Sequence, residues 1–271
     1  MSLRVGRIPF LVCAPFFHDF IGRESEYREF DFVDGPPSAH SAGLMDGSIH
    51  LSPASSITFA LKPGAFVLSP ALCTSCSFEV RSVKLFSHYP IESLAGRTVR
   101  ITSQSRTSVA LLRILFEMRY GIKPAYVQGF GAEASDDACL LIGDQALEEN
   151  ERGRFEFAYD LGSLWQEWQG LPFVFGAWVI SKAAAAENRT GLERYMDLTE
   201  RSIANFRANV GASLDRWLAK YPVSLPRSVV EDYYKVIDYR FTEERKQSLA
   251  LFLSLAARMG LTEQNAPLEY L

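Results

Sequence analysis

The 271-residue sequence is poor in cysteine and lacks a long uninterrupted apolar run. Its four cysteines, Cys13, Cys73, Cys76 and Cys139, are too few for a disulfide framework and are typical of a reducing compartment. The apolar run at residues 8–17 contains two prolines and is too short for a membrane span or a secretory signal. We therefore expect a cytoplasmic protein with no membrane partner.

Basic residues are also not in excess, since 28 Lys and Arg face 32 Asp and Glu, a net charge of −4. This balance argues against a broad nucleic-acid surface, so an anionic ligand must be held by local donors. The GxxxxGK[ST], GxGxxG, HExxH and GxSxG motifs are absent, which removes the main support for nucleotide, zinc-protease and serine-hydrolase sites. Cys73 and Cys76 form a single CxxC without a second pair, and we predict no metal site.

What the sequence does contain is ample core, with 48% hydrophobic and 13% aromatic residues. Its length suits two lobes with a cleft between them better than one compact core. Up to about residue 180, strand patterns alternate with helical ones, which favours an α/β fold with a largely parallel sheet and sites at the carboxyl ends of strands. From residue 183 onward the patterns predict helices only, with residues 222–226 separating two helical segments.

Individual elements follow from hydrophobic period and from capping residues. We predict strands at 3–8, 30–33, 49–52, 80–87, 125–127, 138–142 and 170–180, with a further β-branched run starting at 98. Predicted helices occupy 38–47, a segment from 57, a segment from 108 that stops at Gly121, and 160–168.

Residues 98–109 are the most informative segment. A short β-branched run leads into a turn in which Ser105, Thr107 and Ser108 surround Arg106, and a long amphipathic helix follows. Hydroxyl donors and a cation at a helix start would hold a carboxylate or phosphate. The alternative is a plain helix cap, because Ser and Thr cap helices in many settings.

Three further loops follow predicted strands, at 9–15, at 52–56 with Ser55 and Ser56, and at 143–144 with Asp144. All are rich in hydroxyls or poor in acid–base groups, and the four histidines are scattered, which is typical of structural or surface histidines. Such loops would bind a polar anion and support a reaction that needs little proton machinery.

Several blocks in one order resemble the MqnA family of menaquinone biosynthesis. They are RVGRIPFL at 4–11, SPASS at 52–56, SQSRTSV at 103–109, LLIGDQAL at 140–147, YDLG at 159–162 and GLPFVF at 170–175. The resemblance implies a two-lobed, type 2 periplasmic-binding-protein-like fold with a helical C-terminal segment. Lobe I would comprise residues 1–84 and 179–271 and lobe II residues 85–178, with crossover strands near Leu85 and Trp178.

The resemblance also implies a chorismate dehydratase of the futalosine route, a hydro-lyase that acts on a small dicarboxylate substrate without a metal or organic cofactor. Alternatives are a non-catalytic carboxylate-binding protein of the same fold and a related futalosine-pathway lyase. The sequence gives no indication of the oligomeric state.

By the same resemblance, Ser55, Ser82, Thr107 and Ser108 would contact the ligand, with Ser82 as the catalytic candidate. The hydroxyl-rich loops add Ser56, Ser105 and Arg106 to the substrate-binding candidates, and Asp144 would lie at the cleft rim. Alternatively, Ser82 is an inward strand serine bonded to backbone, and Asp144 caps its own helix. Phe173, Phe175 and Trp178 are predicted as core residues, with one face reaching the cleft.

The sequence departs from the family at three positions. Val12 stands where the family has an asparagine thought to contact the ligand, and His40 and His50 replace an asparagine and an aspartate. Either another residue such as His18 supplies the missing donor, or the substrate differs, or activity is lost. Gly143 stands where the sister enzyme that cleaves a dehypoxanthine futalosine has its catalytic histidine, which weighs against that reaction.

Overall fold

The computed structural model describes residues 2–263 and 267–271. They form two β-sheets with helices packed around them, which confirms the predicted α/β class. The strands are β1 (Leu3–Arg7), β2 (Phe30–Asp34), β3 (Leu51–Ser55), β4 (Phe66–Cys76), β5 (Val83–Ser87), β6 (Thr98–Thr102), β7 (Ala125–Gly129), β8 (Ala138–Ile142), β9 (Phe157–Asp160), β10 (Phe173–Ser181) and β11 (Ile237–Arg240).

The helices surround the sheets and dominate the C-terminal part. They are α1 (Ala14–Phe17), α2 (Pro37–Asp46), α3 (Arg106–Ile114), α4 (Asp144–Arg152), α5 (Leu161–Gln169), α6 (Lys182–Ala208), α7 (Val210–Lys220), α8 (Arg227–Tyr233) and α9 (Glu243–Arg258). A π-helical turn continues α3 as far as Arg119, and non-helical backbone at Asn188 interrupts α6. Within the described ranges, no helix is long and apolar enough to cross a membrane.

The six-stranded sheet has the order β11-β4-β10-β3-β1-β2. β1 lies parallel to β2 and β3, whereas β10 runs antiparallel to β3 and β4. All five residues of β3 are buried, as expected for a central strand. Because β1 and β3 run in the same direction, the loops that follow them meet at one edge of the sheet.

The five-stranded sheet has the order β7-β6-β8-β5-β9. β6 lies parallel to β7 and β8, and β5 runs antiparallel to β8 and β9. The loops after β6 and β8 therefore also meet at one edge, and this edge faces the first sheet across the cleft described below.

Both sheets are mixed, so the prediction of a largely parallel sheet is wrong. The physical reason is that β5 and β10, which follow the two changes of sheet, run opposite to their neighbours. Leu85 in β5 and Trp178 in β10 each pair within one sheet, so neither lies on a strand that bridges two sheets. The chain changes sheets between β4 and β5 and again between β9 and β10, while the lobe boundaries themselves stay a prediction.

Three strands were not anticipated from the sequence. β4 and β9 were not predicted, and β11 contradicts the prediction that only helices follow residue 183. β11 is a four-residue edge strand that pairs with β4, and so short an alternation of apolar and polar residues is not distinguishable from one turn of helix. The separation of two helical segments at residues 222–226 is confirmed, since α7 ends before them and α8 begins after them.

A cluster of buried aromatic rings fixes the first loop against the C-terminal helices. The ring of Phe16 lies 5.4 Å from that of Trp178, which lies 5.5 Å from Tyr195 in α6. Phe20 stacks on Tyr195 at 5.5 Å. These large rings bury much apolar surface, so α1, which directly follows residues 10–13, packs against β10 and α6.

Candidate functional site

A cavity of about 100 Å³ lies between the two sheets. The loops after β1, β3, β6 and β8 all contribute to its wall, so the four predicted strand-end loops do converge. The lining residues are Ile8, Phe10, Val12, Cys13, Pro37, Pro53, Ala54, Ser55, Thr74, Val80, Ser82, Val83, Ser105, Ser108, Ile142, Gly143, Phe175, Gly176 and Tyr233.

No charged side chain lines this cavity in the part of the chain that the structure describes. Its polar groups are hydroxyls and the thiol of Cys13. Burial, reinforced by the nearby Asp144 carboxyl, raises the pKa of the Cys13 thiol, which therefore remains protonated. An anion in this cavity would be held by hydroxyl and backbone donors and not by an ion pair.

A row of serine hydroxyls crosses the cavity wall from one sheet to the other. Ser55 Oγ lies 3.5 Å from Ser105 Oγ, and Ser105 Oγ lies 2.9 Å from Ser108 Oγ. Ser105 is also the N-cap of α3, because its Oγ accepts the backbone N–H of Ser108 at 3.2 Å. The helix-cap interpretation of Ser105 is therefore confirmed, and the same serine also faces the cavity, while its contact with an anion stays a prediction.

Two helices begin at the cavity. Ser105 is the N-cap of α3, and Gly143, with a φ of 59°, is the N-cap of α4. A helix N-terminus carries backbone N–H groups without partners in the helix and a partial positive charge, and the N-cap residues of α3 and α4 both line this cavity. This arrangement favours a ligand with negative charge.

Ser56 and Thr107 lie behind the wall and do not line the cavity. Both are fully buried, and their hydroxyls form a chain. The N–H of Ile57 donates to Thr107 Oγ1 at 3.0 Å, Thr107 Oγ1 lies 3.2 Å from Ser56 Oγ, and Ser56 Oγ donates to the carbonyl of Val174 at 2.8 Å. Both hydroxyl protons of these hydrogen bonds already have acceptors. Ser56 and Thr107 therefore join the two lobes and leave no hydroxyl proton for a ligand.

Arg106 is exposed and lies outside the cavity, on the opposite side of the start of α3. Consecutive residues at a helix start point in directions about 100° apart, and Ser105 takes the inward direction. The structure therefore does not bring the predicted guanidinium to the cavity.

Ser82 faces the cavity from a turn and not from a strand, since β5 begins only at Val83. Arg81, just before it, has a φ of 62°, a conformation that costs energy for a side chain with a Cβ. The Asp160 carboxylate stabilises this turn by accepting the N–H groups of Val80 and Arg81 at 2.7–3.1 Å. This turn places Ser82 Oγ 2.9 Å from the hydroxyl of Tyr233.

Tyr233 is a cavity residue that the sequence did not reveal. It lies at the end of α8, is 1% exposed and lines the cavity. Burial raises the pKa of its phenol, so the group is protonated and can donate to Ser82. Its sequence distance from Ser82, 151 residues, leaves no local signal of the contact.

Asp144 is not the cap of its own helix, because it occupies the first helical position and α4 has no side-chain cap. Its Oδ1 accepts the N–H of Leu11 at 3.3 Å, which joins the first loop to the second lobe. Burial raises the pKa of this carboxyl to about 7, the Leu11 N–H offsets this only in part, and Glu148 adds to it.

Of the three aromatic candidates, one lies in the cavity wall and two lie in the hydrophobic core. Phe175 lines the cavity and is half-buried, whereas Phe173 and Trp178 are 1% and 0% exposed. Phe173 packs edge-to-face on Trp165 and Phe252. Of these three residues, only Phe175 is therefore placed to contact a ligand.

Val12 does line the cavity, while none of the histidines suggested as replacements does so among the described residues. His40 is buried, lies 3.0 Å from the carbonyl of Val33 and 3.1 Å from Ser52 Oγ, and burial lowers its pKa to about 4. His50 accepts the N–H of Arg4. His18 lies 3.4 Å from Ser213 Oγ, and burial lowers its pKa. The idea that His18 supplies the missing donor is therefore wrong.

The sequence is similar to a known protein family and to a characterised relative. A family model described as menaquinone biosynthesis matches residues 3–258. The chorismate dehydratase of Thermus thermophilus is 28% identical over 212 residues, 68% of this chain and 75% of that relative.

Two solved structures show the same fold. A protein from Archaeoglobus fulgidus gives a TM-score of 0.77 at 18% identity and covers 96% of this chain and 98% of its own. The periplasmic aliphatic sulphonate binding protein of Escherichia coli gives a TM-score of 0.72 at 15% identity and covers 98% of this chain and 90% of its own. The predicted periplasmic-binding-protein-like fold is confirmed.

Proposed function

The chain belongs to the menaquinone biosynthesis family, and on that premise we propose that it is a chorismate dehydratase. The reaction eliminates water from chorismate and yields 3-[(1-carboxyvinyl)oxy]benzoate, with no metal or organic cofactor. The observation that carries the proposal is the uncharged cavity at which α3 and α4 both begin. The Thermus thermophilus relative supports the same reaction.

The cavity suits a small dicarboxylate. Helix N-termini and the hydroxyls of Ser55, Ser105 and Ser108 receive carboxylate oxygens, while Phe175 covers the face of the ring. Hydrogen bonds to a charged acceptor are each worth about 1.5–3 kcal/mol, so several of them replace the missing cation. The apolar remainder of the wall excludes water and strengthens each of these bonds.

The elimination draws its driving force from the substrate. One ring carbon loses its proton, the neighbouring carbon loses its hydroxyl, and the electron pair left by the proton completes the aromatic ring. We assign the proton to a carboxylate of the substrate itself, which leaves the protein to orient the ring and to stabilise the departing hydroxide. Proton and hydroxide together make the water released.

Ser82 donates to the departing hydroxyl in this mechanism. Tyr233 donates its own proton to Ser82 Oγ, which leaves the Ser82 proton free for the cavity. A serine held by a buried phenol is a fixed donor that needs no reorganisation during the reaction. The pH–rate profile should accordingly show no essential histidine.

A non-catalytic carboxylate-binding protein on the same fold is the second candidate, and Val12 favours it because a valine cannot donate to a ligand. Incubating the purified chain with chorismate and analysing the products by mass spectrometry separates the two. A product lighter than chorismate by one water supports the dehydratase, and tight binding without that product supports the binder. We also propose that the protein is cytoplasmic, because its few cysteines are typical of a reducing compartment.

A further inference from the structure

A second cavity, the outer cavity, lies on the other face of α3, where that helix meets the 3-10 turn Ser56–Leu61. Its volume is about 300 Å³. Ser105 contributes to the walls of both cavities, so the outer cavity adjoins the proposed active site without being part of it.

Two arginines of α3 line the outer cavity. Arg106 and Arg113 are seven residues apart, so they lie on one helix face with about 10 Å between them along the axis. Arg106 is exposed. The guanidinium carbon of Arg113 lies 4.7 Å from the ring centre of Tyr126, and its Nε is buried without a hydrogen-bond partner among the described atoms.

These positive charges are not balanced locally. No acidic residue of the described chain lines the outer cavity. The acidic residue one turn beyond Arg113, Glu117, is instead paired with Lys123 at 2.9 Å. In a chain with a net charge of −4, two arginines that share a cavity free of carboxylates make a local anion site.

Besides the two arginines, both polar and apolar side chains line the outer cavity. Gln128 from β7 and Thr102 from β6 add polar groups near the arginines, while Ile57, Leu61 and Val109 give the cavity an apolar floor. A bare inorganic anion would use the arginines and leave this floor uncovered. A ring with carboxylate substituents uses both.

We propose that the outer cavity binds a small cyclic carboxylate, with its carboxylates on Arg106 and Arg113 and its ring on the apolar floor. This proposal does not depend on chorismate turnover, because the outer cavity has its own donors. Substrate and product of the proposed reaction belong to the same chemical class, so either one is an expected occupant, and this choice of occupant alone rests on the proposed function.

Isophthalate, a benzene ring with two carboxylates, is the probe. Inorganic phosphate tests for a bare-anion site, and the neutral isophthalamide tests the need for charge. Binding is followed by titration calorimetry and by the NMR signal of the Gln128 side-chain amide, which reports on the outer cavity alone. We expect isophthalate to shift this signal and to bind more tightly than phosphate, and isophthalamide to leave the signal unchanged.

The variant that tests the site is Arg106→Gln with Arg113→Gln. Loss of charge-assisted hydrogen bonds should weaken isophthalate binding at the outer cavity by about tenfold or more for each arginine. Arg97→Gln is the matched control, because Arg97 lies in the same lobe but is already paired with Asp137. If the double variant does not fold, the single variant Arg106→Gln, at an exposed position, replaces it in the binding measurement. An unshifted Gln128 signal, equal binding of phosphate, or a double variant that binds as the wild type does would overturn the proposal.

Discussion

Replacing Asp144 with asparagine should stabilise the protein at neutral and alkaline pH and have no such effect in acid. The carboxyl is partly buried, and burial raises its pKa to about 7 from an ordinary 3.8. Asparagine has nearly the same shape, keeps an oxygen to accept the Leu11 N–H and cannot ionise. The substitution therefore removes only the cost of placing a negative charge in this environment.

The size and sign follow from proton linkage. The folded protein keeps the Asp144 proton up to about pH 7, whereas the unfolded chain releases it near pH 4, so the folded state holds more protons in between. The contribution of Asp144 to the free energy of unfolding of the wild type is therefore fully present below about pH 4 and is lost as the pH rises to about 7. A shift of about three units corresponds to about 4 kcal/mol, which is the largest gain expected for Asp144→Asn at pH 8.

Urea unfolding of both proteins over pH 5–8 measures this difference. We expect the advantage of Asp144→Asn to grow by about 1.4 kcal/mol per pH unit up to about pH 7 and then to level off. Asp238→Asn is the control of opposite sign. Burial raises the pKa of Asp238, but Arg240 and Arg245 outweigh it and hold the pKa far below the ordinary value, so this variant should lose stability by a constant amount over the same range. A difference between wild type and Asp144→Asn that does not change with pH would refute the reasoning.

Four further substitutions test separate parts of the site. Val12→Asn restores a donor at the cavity wall and should tighten chorismate binding about tenfold, the value of one added hydrogen bond, as measured by calorimetry; unchanged affinity would mean that the first loop does not contact the ligand. Ser82→Ala should lower kcat by about 10²–10³, and Tyr233→Phe by a smaller factor because Ser82 remains, with KM changing little in both; a loss confined to KM would assign the pair to binding alone. Thr107→Val leaves the buried Ile57 N–H without an acceptor and should cost about 1–3 kcal/mol of unfolding free energy in denaturant titration, and an unchanged midpoint would contradict the fastening role.

The convergence of the strand-end loops could be predicted because it follows from parallel pairing. β1 lies parallel to β3 and β6 lies parallel to β8, so the two loops of each sheet meet at one edge. That the two edges face each other depends on the two-lobed fold. The same logic placed Ser55, Ser105 and Ser108 at the cavity. Parallel pairing could not predict that Thr107 and Arg106 point away from the cavity while Ser105 and Ser108 line it. The direction of each side chain depends on the rotation of the helix about its axis at its first turn.

The residues contributed by distant parts of the chain could not be predicted. Tyr233 reaches Ser82 across 151 residues, and Asp144 reaches Leu11 across 133. Neither contact has a sequence pattern, since one tyrosine in a helix and one aspartate after a glycine are equally typical of surface positions. The raised pKa of Asp144 likewise depends on burial by segments that only the fold brings together.

The most direct test of the central claim is a time course of the purified chain with chorismate, with Ser82→Ala as the matched variant. We predict that chorismate disappears, that 3-[(1-carboxyvinyl)oxy]benzoate appears in equal amount by chromatography and mass spectrometry, and that Ser82→Ala binds chorismate but converts it far more slowly. Chorismate that is bound and recovered unchanged from the wild-type protein would contradict the claim.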